Sequence, residues 1–252
     1  MTAPIQTSIV RKEDSMEIEE FNQQVRRICT DKAIRSLVTS LRQDRRQEGI
    51  AASDKKWFSQ PLIHLLTFME EEGSLFDTSP KSLTVSDVLA LIVGMGETLS
   101  IRDAIICAIV NKLTPDEVVM LGCEPFQEKS AELVCLSLDP AFNNPYVPRR
   151  RKQTMRMYTL MKQWPDALPD SYTVYRSVLF SALAYIAWWM GEPELSLEYS
   201  YSSLEIDPDC NLASIMNHAV SWGAMPAWWR KEREREKGRE ERDQQEENRE
   251  KG

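Results

Sequence analysis

The sequence predicts an all-α protein, a helical bundle or short helical array with a helical hairpin in its C-terminal third. Three observations predict this class. Apolar residues recur every three or four positions along most of the chain, which is the spacing of one helix face. The 252 residues include only nine glycines, and runs typical of strands are few. The stretch from Ser171 to Trp229 divides into three helical segments separated by residues that end helices.

The hairpin has clear helix boundaries. Apolar residues from Leu179 to Met190 keep helical spacing. Gly191 follows them, at a position suited to the left-handed residue that ends many helices. Pro193 suits the first turn of the next helix. Asp207-Pro208 ends that helix, since proline lacks an N–H and disfavours α geometry in the residue before it. A third helix is predicted over about 211–221.

Small residues occur at regular places in this hairpin. They are Gly191 at the inter-helix turn and Ser196 and Ser203 along the second helix, and Pro208 closes the unit. This arrangement resembles one tetratricopeptide-type repeat, a unit of about 34 residues. Such arrays need about three repeats to bury a continuous core, and one copy is present. An ordinary hairpin inside a globular domain is therefore the alternative.

A wider resemblance covers about residues 83–229. Between these positions the chain is similar to the C-terminal part of an actinobacterial domain of unknown function, numbered four-one-nine-two, which also occurs in proteins of actinobacterial phages and mobile elements. The features that carry the resemblance are Ser100 to Ala104, Ala187-Trp188, Gly191, Asp207-Pro208 and Gly223 to Trp229. The family has no known activity, so the resemblance implies a fold and a source but no mechanism.

Changes in composition divide the chain into four predicted segments. They are a disordered leader (1–14), an N-terminal helical segment (15–73), a helical domain containing the hairpin (83–229) and a mixed-charge tail, helical or disordered (230–252). Within the second segment, a long helix or two helices joined near Thr30 are predicted. This region either packs on the domain or forms a dimerising coiled coil, whose apolar seam Lys32 and Arg35 interrupt.

Glycine, proline and capping residues predict further helix ends. Pro61 is predicted to begin one helix, and Gly94-Met95-Gly96 to end the next. Ser100 is the predicted cap of the following helix, with Asp103 as its capping-box partner. Thr114 and Pro115 begin another helix. Asp139-Pro140 is predicted to stop the helix that starts near residue 128.

Composition limits the classes of function. Hydrophobic residues at 42% and charged residues at 28% are typical of a soluble globular protein. The net charge of −8 disfavours a general DNA-coating role but leaves local basic patches open. The longest apolar run, Ser177 to Met190, is shorter than the ~20 residues that span a bilayer. The N-terminus has no apolar signal core. We therefore expect a cytoplasmic protein that contacts no membrane.

No sequence motif identifies a catalytic centre. The nucleophile elbow, the phosphate-binding loop, H-E-x-x-H and the deaminase signature are all missing from the sequence. The two histidines, His64 and His218, lie far apart along the chain. The five cysteines are widely spaced, and no pair has the spacing of metal ligands, so we expect buried free thiols. We expect no cofactor. We expect a protein that is not an enzyme; the alternative is an enzyme with a carboxylate site assembled by folding.

Large aromatic residues near the end of the hairpin predict a protein-binding surface. Trp222, Trp228 and Trp229 have the character of aromatic anchors, which dominate many interfaces. The alternative is that these rings cap the hairpin core. The first functional prediction is thus a non-enzymatic helical protein-interaction module, with neither its partner nor its oligomeric state specified.

A basic segment predicts the alternative function, a nucleic-acid-associated accessory protein. Its cations are Arg149, Arg150, Arg151, Lys152, Arg156 and Lys162. On a helix, Arg149, Lys152 and Arg156 would share one face and neutralise phosphates. The neighbouring Tyr146 and Tyr158 would stack on bases. The competing interpretation is a solvated face that pairs with acidic neighbours.

Overall fold

The computed structural model describes residues 18–71 and 82–250, and every regular element in these ranges is a helix. The predicted all-α class is therefore confirmed. The predicted leader and the residues 73–81 between the second and third predicted segments lie outside the described residues. The division of the chain into four segments stays a prediction.

Thirteen α-helices and one short 3-10 helix follow one another in these ranges. They are α1 (18–28), α2 (Asp31–Glu48), α3 (Ile50–Glu70), α4 (Val85–Glu97), α5 (Leu99–Val110), α6 (Pro115–Cys123), α7 (Glu128–Asn143), α8 (Arg151–Met161), α9 (Trp164–Ala167), the 3-10 helix (Asp170–Tyr172), α10 (Thr173–Met190), α11 (Pro193–Ile206), α12 (Asn211–Ser221) and α13 (Ala227–Glu250).

Helix α10 lies in the middle of the bundle. It packs against α4, α5, α8, α11 and α12. Its residues from Ser177 to Trp189 are almost all buried, because the helix is apolar on every side. One hydrophobic core extends from Val25 in α1 to Trp228 in α13. Ile34 and Leu41 of α2 are fully buried in this core, as the interpretation of α2 as a packed helix predicts.

Serine side chains allow α10 and α11 to approach each other closely. The hydroxyls of Ser177 and Ser203 lie 2.9 Å apart, and the Ser203 hydroxyl also donates to the carbonyl of Ser177 at 2.9 Å. Farther along, the Ser196 hydroxyl donates to Ala184 O at 2.8 Å. These small side chains remain hydrogen-bonded although they are buried. The likeness to a tetratricopeptide repeat stays a prediction.

The chain reversal between α10 and α11 occurs where it is predicted. Gly191 is left-handed, with φ of 83°, and its N–H donates to Trp188 O at 3.0 Å. Glu192 N–H donates to Ala187 O, also at 3.0 Å, which completes the glycine C-cap. Pro193 occupies the first turn of α11, and α11 ends at Ile206, directly before Asp207-Pro208. These boundaries are confirmed.

Two predicted helix boundaries at prolines are wrong. Pro61 lies inside α3 and Pro140 lies inside α7. The apolar residues Phe58, Leu62 and Leu65 form one face that continues through Pro61, and all three are buried. Burial of this face offsets the backbone hydrogen bond that proline removes, so the helix continues.

The predictions for α4 and α5 also need correction. Helix α4 ends at Glu97, one residue past the predicted stop at Gly94-Met95-Gly96, and neither glycine has a left-handed backbone. A Cβ on Gly96 would lie 2.5 Å from the ring of Tyr175, so this glycine permits close packing. Ser100 does not cap α5, which begins at Leu99; its hydroxyl instead donates to Gly122 O at 2.7 Å. Thr114 does cap α6, through a complete capping box.

All five cysteines are free thiols, and only Cys135 is exposed. Burial raises the pKa of the Cys107 and Cys123 thiols to about 12 and that of Cys29 to about 11. We expect a disulfide reagent at mildly alkaline pH to modify one thiol rapidly in the native protein and all five after unfolding. The substitution Cys135→Ser should remove the rapid phase. Two or more rapidly reacting thiols would contradict the burial described here.

Within residues 18–71 and 82–250, none of the helices is both long and apolar enough to cross a membrane.

Candidate functional site: a tryptophan-lined cleft

A cleft of about 360 Å³ opens where the start of α8, the end of α10 and the first turns of α13 meet. Its walls combine indole rings, two methionine side chains and paired charges. The lining residues are Arg149, Arg151, Thr154, Met155, Trp189, Met190, Gly191, Glu192, Trp228, Trp229, Glu232, Arg233 and Glu236.

Three tryptophans form the aromatic part of the wall. Trp189 is 1% exposed and Trp228 is 8% exposed, and their rings meet edge to face with centroids 6.5 Å apart. Trp229 is half-buried and lies against Gly191. A Cβ on Gly191 would lie 2.5 Å from Trp229 Cδ1, so only glycine permits this contact. The turn that ends α10 thus positions the start of α13.

Arginine side chains lie over two of these rings. The guanidinium of Arg149 is 4.6 Å from the Trp228 ring centroid and forms an ion pair with Glu232 at 2.9 Å. Arg233 lies 5.1 Å from the Trp229 centroid, and its Nη1 is 3.5 Å from Glu236 Oε2. Such cation–π contacts hold the guanidinium planes beside the rings. The two acidic side chains that α13 contributes are therefore already paired.

Several hydrogen-bond donors of the wall have no acceptor among the described residues. The Nε1–H groups of Trp189 and Trp228 are buried and unpaired. An indole N–H can only donate, and a buried unpaired donor is unfavourable. Arg151 is exposed and has no acidic partner in the described part of the chain. The cleft thus presents apolar surface together with balanced charges, three arginines and three glutamates.

Helix α13 is fixed to the body by its first turns. Arg230 Nη2 donates to Phe142 O at 2.5 Å, and Lys231 Nζ lies 3.2 Å from the Tyr146 ring centroid. Beyond Arg233 the side chains described for α13 are almost all exposed. The tail is a helix as far as Glu250, which decides between the two predicted states for that part.

The three tryptophans predicted as binding residues do not share one surface. Trp228 and Trp229 line the cleft, but Trp228 is buried in the core, which is the alternative interpretation for that ring. Trp222 is 82% exposed at the end of α12 and is not among the residues that line the cleft. Its only ring contact described is with His218, at 5.7 Å between centroids.

The predicted basic face is not formed. Arg149 precedes α8, and Arg150 at its N-cap has a left-handed backbone with φ of 44°. Arg156 is buried, and its Nη1 donates to Phe68 O at 3.1 Å and Glu71 O at 2.6 Å. It therefore satisfies carbonyls at the end of α3 and does not face solvent. Nucleic-acid binding stays a prediction.

Arg150 has a similar structural role at two other helix ends. Its guanidinium donates to Ala108 O and Asn111 O at the end of α5, and it pairs with Glu70 at the end of α3. Burial lowers the pKa of this guanidinium, and Glu70 opposes that effect. Of the six predicted cations, Arg151, Lys152 and Lys162 remain exposed.

Sequence reasoning misses Trp189 and the charged residues that α13 contributes to the cleft. The sequence feature that could have identified Trp189 is the pair Trp188-Trp189 shortly before the chain reversal at Gly191. A ring at the end of a helix can contact a neighbouring helix. Met155 stands in the sequence only as an apolar residue interleaved with the basic segment, which gives no sign of its place at the cleft.

A second cleft, of about 400 Å³, contains a partly buried carboxylate. Both oxygens of Glu97 accept hydrogen bonds from Arg42 at 2.8 Å, and Tyr175 OH donates to Glu97 Oε1 at 2.5 Å. Burial raises the pKa of Glu97, but the bonds from Arg42 and Tyr175 outweigh it, so the net pKa is lowered. Among the described residues, no cluster of acidic, histidine or cysteine side chains fits a metal ion.

This carboxylate makes the stability of the protein dependent on pH. Because folding lowers the pKa of Glu97, its contribution is complete above the ordinary glutamate pKa of about 4.3 and is lost as the pH falls through the folded value. We expect Glu97→Gln to lower the free energy of unfolding at neutral pH and to cost progressively less below about pH 4.3. Urea unfolding over this range measures the effect, with the exposed Glu198→Gln as control. A cost that does not change with pH would contradict the prediction.

Comparisons with protein-family models, with curated proteins and with solved structures found no match to this chain. The resemblance to domain four-one-nine-two stays a prediction.

Proposed function

We propose that this chain is a non-enzymatic protein-interaction module of an actinobacterial phage or mobile-element protein, and that the tryptophan-lined cleft holds a segment of its partner. The observation that carries the proposal is the cleft itself, which places three indole rings beside partly exposed Met155. Aromatic and arginine side chains contribute most of the binding energy at many protein interfaces.

The dimensions of the cleft suit a peptide side chain. Its volume of about 360 Å³ is at the lower end of the range of roughly 300–1,000 Å³ found for ligand sites. Trp189 belongs to the central helix and is fully buried, so this part of the wall is already ordered before a partner binds. A preformed wall lowers the entropy cost of binding.

We also assign the protein to the cytoplasm. Five free thiols suit a compartment that keeps cysteines reduced.

Selection of peptides from a displayed random library tests the proposal. Wild-type protein should enrich peptides whose affinity falls at least tenfold for Met155→Glu, a variant that places a charge at the mouth of the cleft. The matched control is Leu136→Glu, since Leu136 is an exposed apolar residue that does not line the cleft. Selection of no peptide, or of peptides that bind Met155→Glu equally well, would contradict a binding role for the cleft. Loss of affinity with Trp222→Ala alone would move the interface to α12.

A further inference from the structure

The negative charge of the chain is concentrated on its C-terminal hairpin. The stretch 177–229 contains six acidic residues and neither lysine nor arginine, so it accounts for −6 of the net charge of −8. Glu194, Glu198 and Glu205 are exposed and lie along one face of α11. None of these three forms an ion pair with a described residue. Unlike the cleft, this face therefore has negative charge that the described residues do not balance.

Exposed aromatic rings lie on the same side of the hairpin. Helices α11 and α12 pack against each other antiparallel, and Asn217 Nδ2 donates to Ser200 Oγ at 3.2 Å where they meet. The next residues, Tyr201 and His218, are each turned by about 100° from this line, and in antiparallel helices both turn to the same outer side. Trp222 follows His218 by one helical turn, with their ring centroids 5.7 Å apart.

Together these residues form a continuous surface, which we call the acidic face. It consists of Glu194, Glu198, Tyr201, Glu205, His218 and Trp222. No other helix covers it among the described elements, since α12 packs mainly against α10 and α11. Tyr201 is 55% exposed and Trp222 is 82% exposed.

The aromatic residues of the acidic face attract the same chemical group as its carboxylates. Aromatic faces bind the cations of lysine and arginine, and Tyr146 already has a lysine of α13 at 3.2 Å from its ring centroid. In contrast, no described cation lies over Tyr201 or Trp222. His218 Nδ1 donates to Ser214 O at 2.8 Å, so Nε2 of the neutral ring is an acceptor. Carboxylates, rings and this acceptor all favour a cationic donor.

We propose that the acidic face binds a basic segment of a partner protein, in which lysine or arginine side chains pair with Glu198 and Glu205 and an apolar side chain packs on Tyr201 and Trp222. Complementary charges select the partner and speed its association, while the rings supply buried contact area. None of the residues of the acidic face lines the cleft. The inference therefore goes beyond the proposed function and does not depend on it.

The same charges exclude other occupants of the acidic face. Nucleic acids and anionic lipid surfaces carry phosphates, which the glutamates repel. Among the described residues, no group of acidic, histidine or cysteine side chains fits a metal ion. A basic protein segment meets neither obstacle.

Fluorescence anisotropy at low salt with labelled synthetic peptides tests the inference. The probes share a flexible Gly-Ser frame and differ at the centre, which is Arg-Leu-Ser-Arg, Gln-Leu-Ser-Gln, Arg-Ser-Ser-Arg or Glu-Leu-Ser-Glu. Cations three residues apart in an extended peptide span about 10 Å, close to the rise of about 10.5 Å between Glu198 and Glu205. Wild-type protein should bind the Arg-Leu-Ser-Arg peptide at least fivefold more tightly than each of the others, and added salt should weaken this binding.

Two double variants of equal net charge separate local contacts from the overall charge of the protein. Glu198→Gln with Glu205→Gln should weaken the Arg-Leu-Ser-Arg peptide at least fivefold. The matched control is Glu128→Gln with Glu132→Gln, which removes two exposed acids of α7 and should change the affinity less than twofold. Equal losses in the two double variants, or no binding by the wild-type protein, overturn the inference.

Single variants locate the peptide on the molecule. Trp222→Ala should weaken the Arg-Leu-Ser-Arg peptide about fivefold, and an unchanged affinity overturns the inference. Met155→Glu should not weaken this peptide; a loss would place it in the cleft and likewise overturn the inference. Library peptides without excess lysine or arginine report on the cleft, so failure of one surface to bind is distinguished from failure of the other.

Discussion

Replacing Arg150 with methionine is expected to lower the free energy of unfolding by about 2–3 kcal/mol, since a carbonyl away from solvent that loses its donor costs about 1–3 kcal/mol. The Arg150 side chain is 9% exposed and joins the ends of α3 and α5. Its loss leaves Ala108 O, Asn111 O and Glu70 without their donor. A buried acceptor without a partner is costly because water cannot replace the lost bond.

Urea unfolding of Arg150→Met beside Arg151→Met measures this effect. Arg151 is the exposed neighbour in the same basic run, and its replacement should change the free energy of unfolding by less than about 0.5 kcal/mol. Equal effects of the two substitutions would mean that Arg150 has no special structural role. In that case the basic segment would again be available as a solvent-facing patch.

Replacing Gly191 with alanine is expected to destabilise the fold by roughly 2–5 kcal/mol. A left-handed non-glycine residue costs about 1–2 kcal/mol, and overpacking adds about 1–3 kcal/mol. Both costs apply here, since φ is 83° and the new Cβ would lie 2.5 Å from Trp229 Cδ1 and 2.8 Å from Trp228 Cη2. The rings must move, so the cleft should change shape together with the stability.

Gly223→Ala separates the two contributions. Gly223 also has a left-handed backbone, with φ of 74°, but no atom lies within 4 Å of the position that its Cβ would take. Its replacement should therefore cost the backbone strain alone. The difference between the variants in the midpoint of urea denaturation measures the contact between Gly191 and the two tryptophans. If both variants lose the same stability, the contact does not stabilise α13 on the body.

Local signals predict the hairpin well because its ends are determined by nearby residues. Gly191 ends α10 through its own backbone freedom, and Asp207-Pro208 ends α11 through the missing N–H. Thr114 satisfies the first N–H groups of α6 from within the same turn. Each of these effects depends on residues a few positions apart, which a sequence shows directly.

Boundaries that depend on tertiary packing could not be predicted in this way. Pro61 remains inside α3 because Phe58 before it and Leu62 after it are both buried in the same core. Gly96 lies in the last turn of α4, where its missing side chain makes room for Tyr175, a residue almost eighty positions away. The same residue type therefore ends one helix and serves close packing in another.

The candidate site is harder to predict than the fold for the same reason. The sequence identifies Trp228 and Trp229 as aromatic anchors, but it does not show that Trp189 and Arg149 meet them. The basic run suggests a single binding face. In the structure, Arg150 donates to carbonyl groups at the end of a helix, whereas Arg149 pairs with an acid of α13 in the cleft. The packing of α3, α5 and α13 determines these different roles.

The most direct test of the cleft as the binding site is ¹⁹F NMR of protein labelled with 5-fluorotryptophan. The chain has seven tryptophans, so each resonance can be assigned by a single Trp→Phe substitution. Titration with a peptide selected by the wild-type protein should shift the resonances of Trp189, Trp228 and Trp229 and leave those of Trp57 and Trp222 in place. A shift confined to Trp222, with the three cleft resonances unchanged, would contradict the account and place the partner on α12.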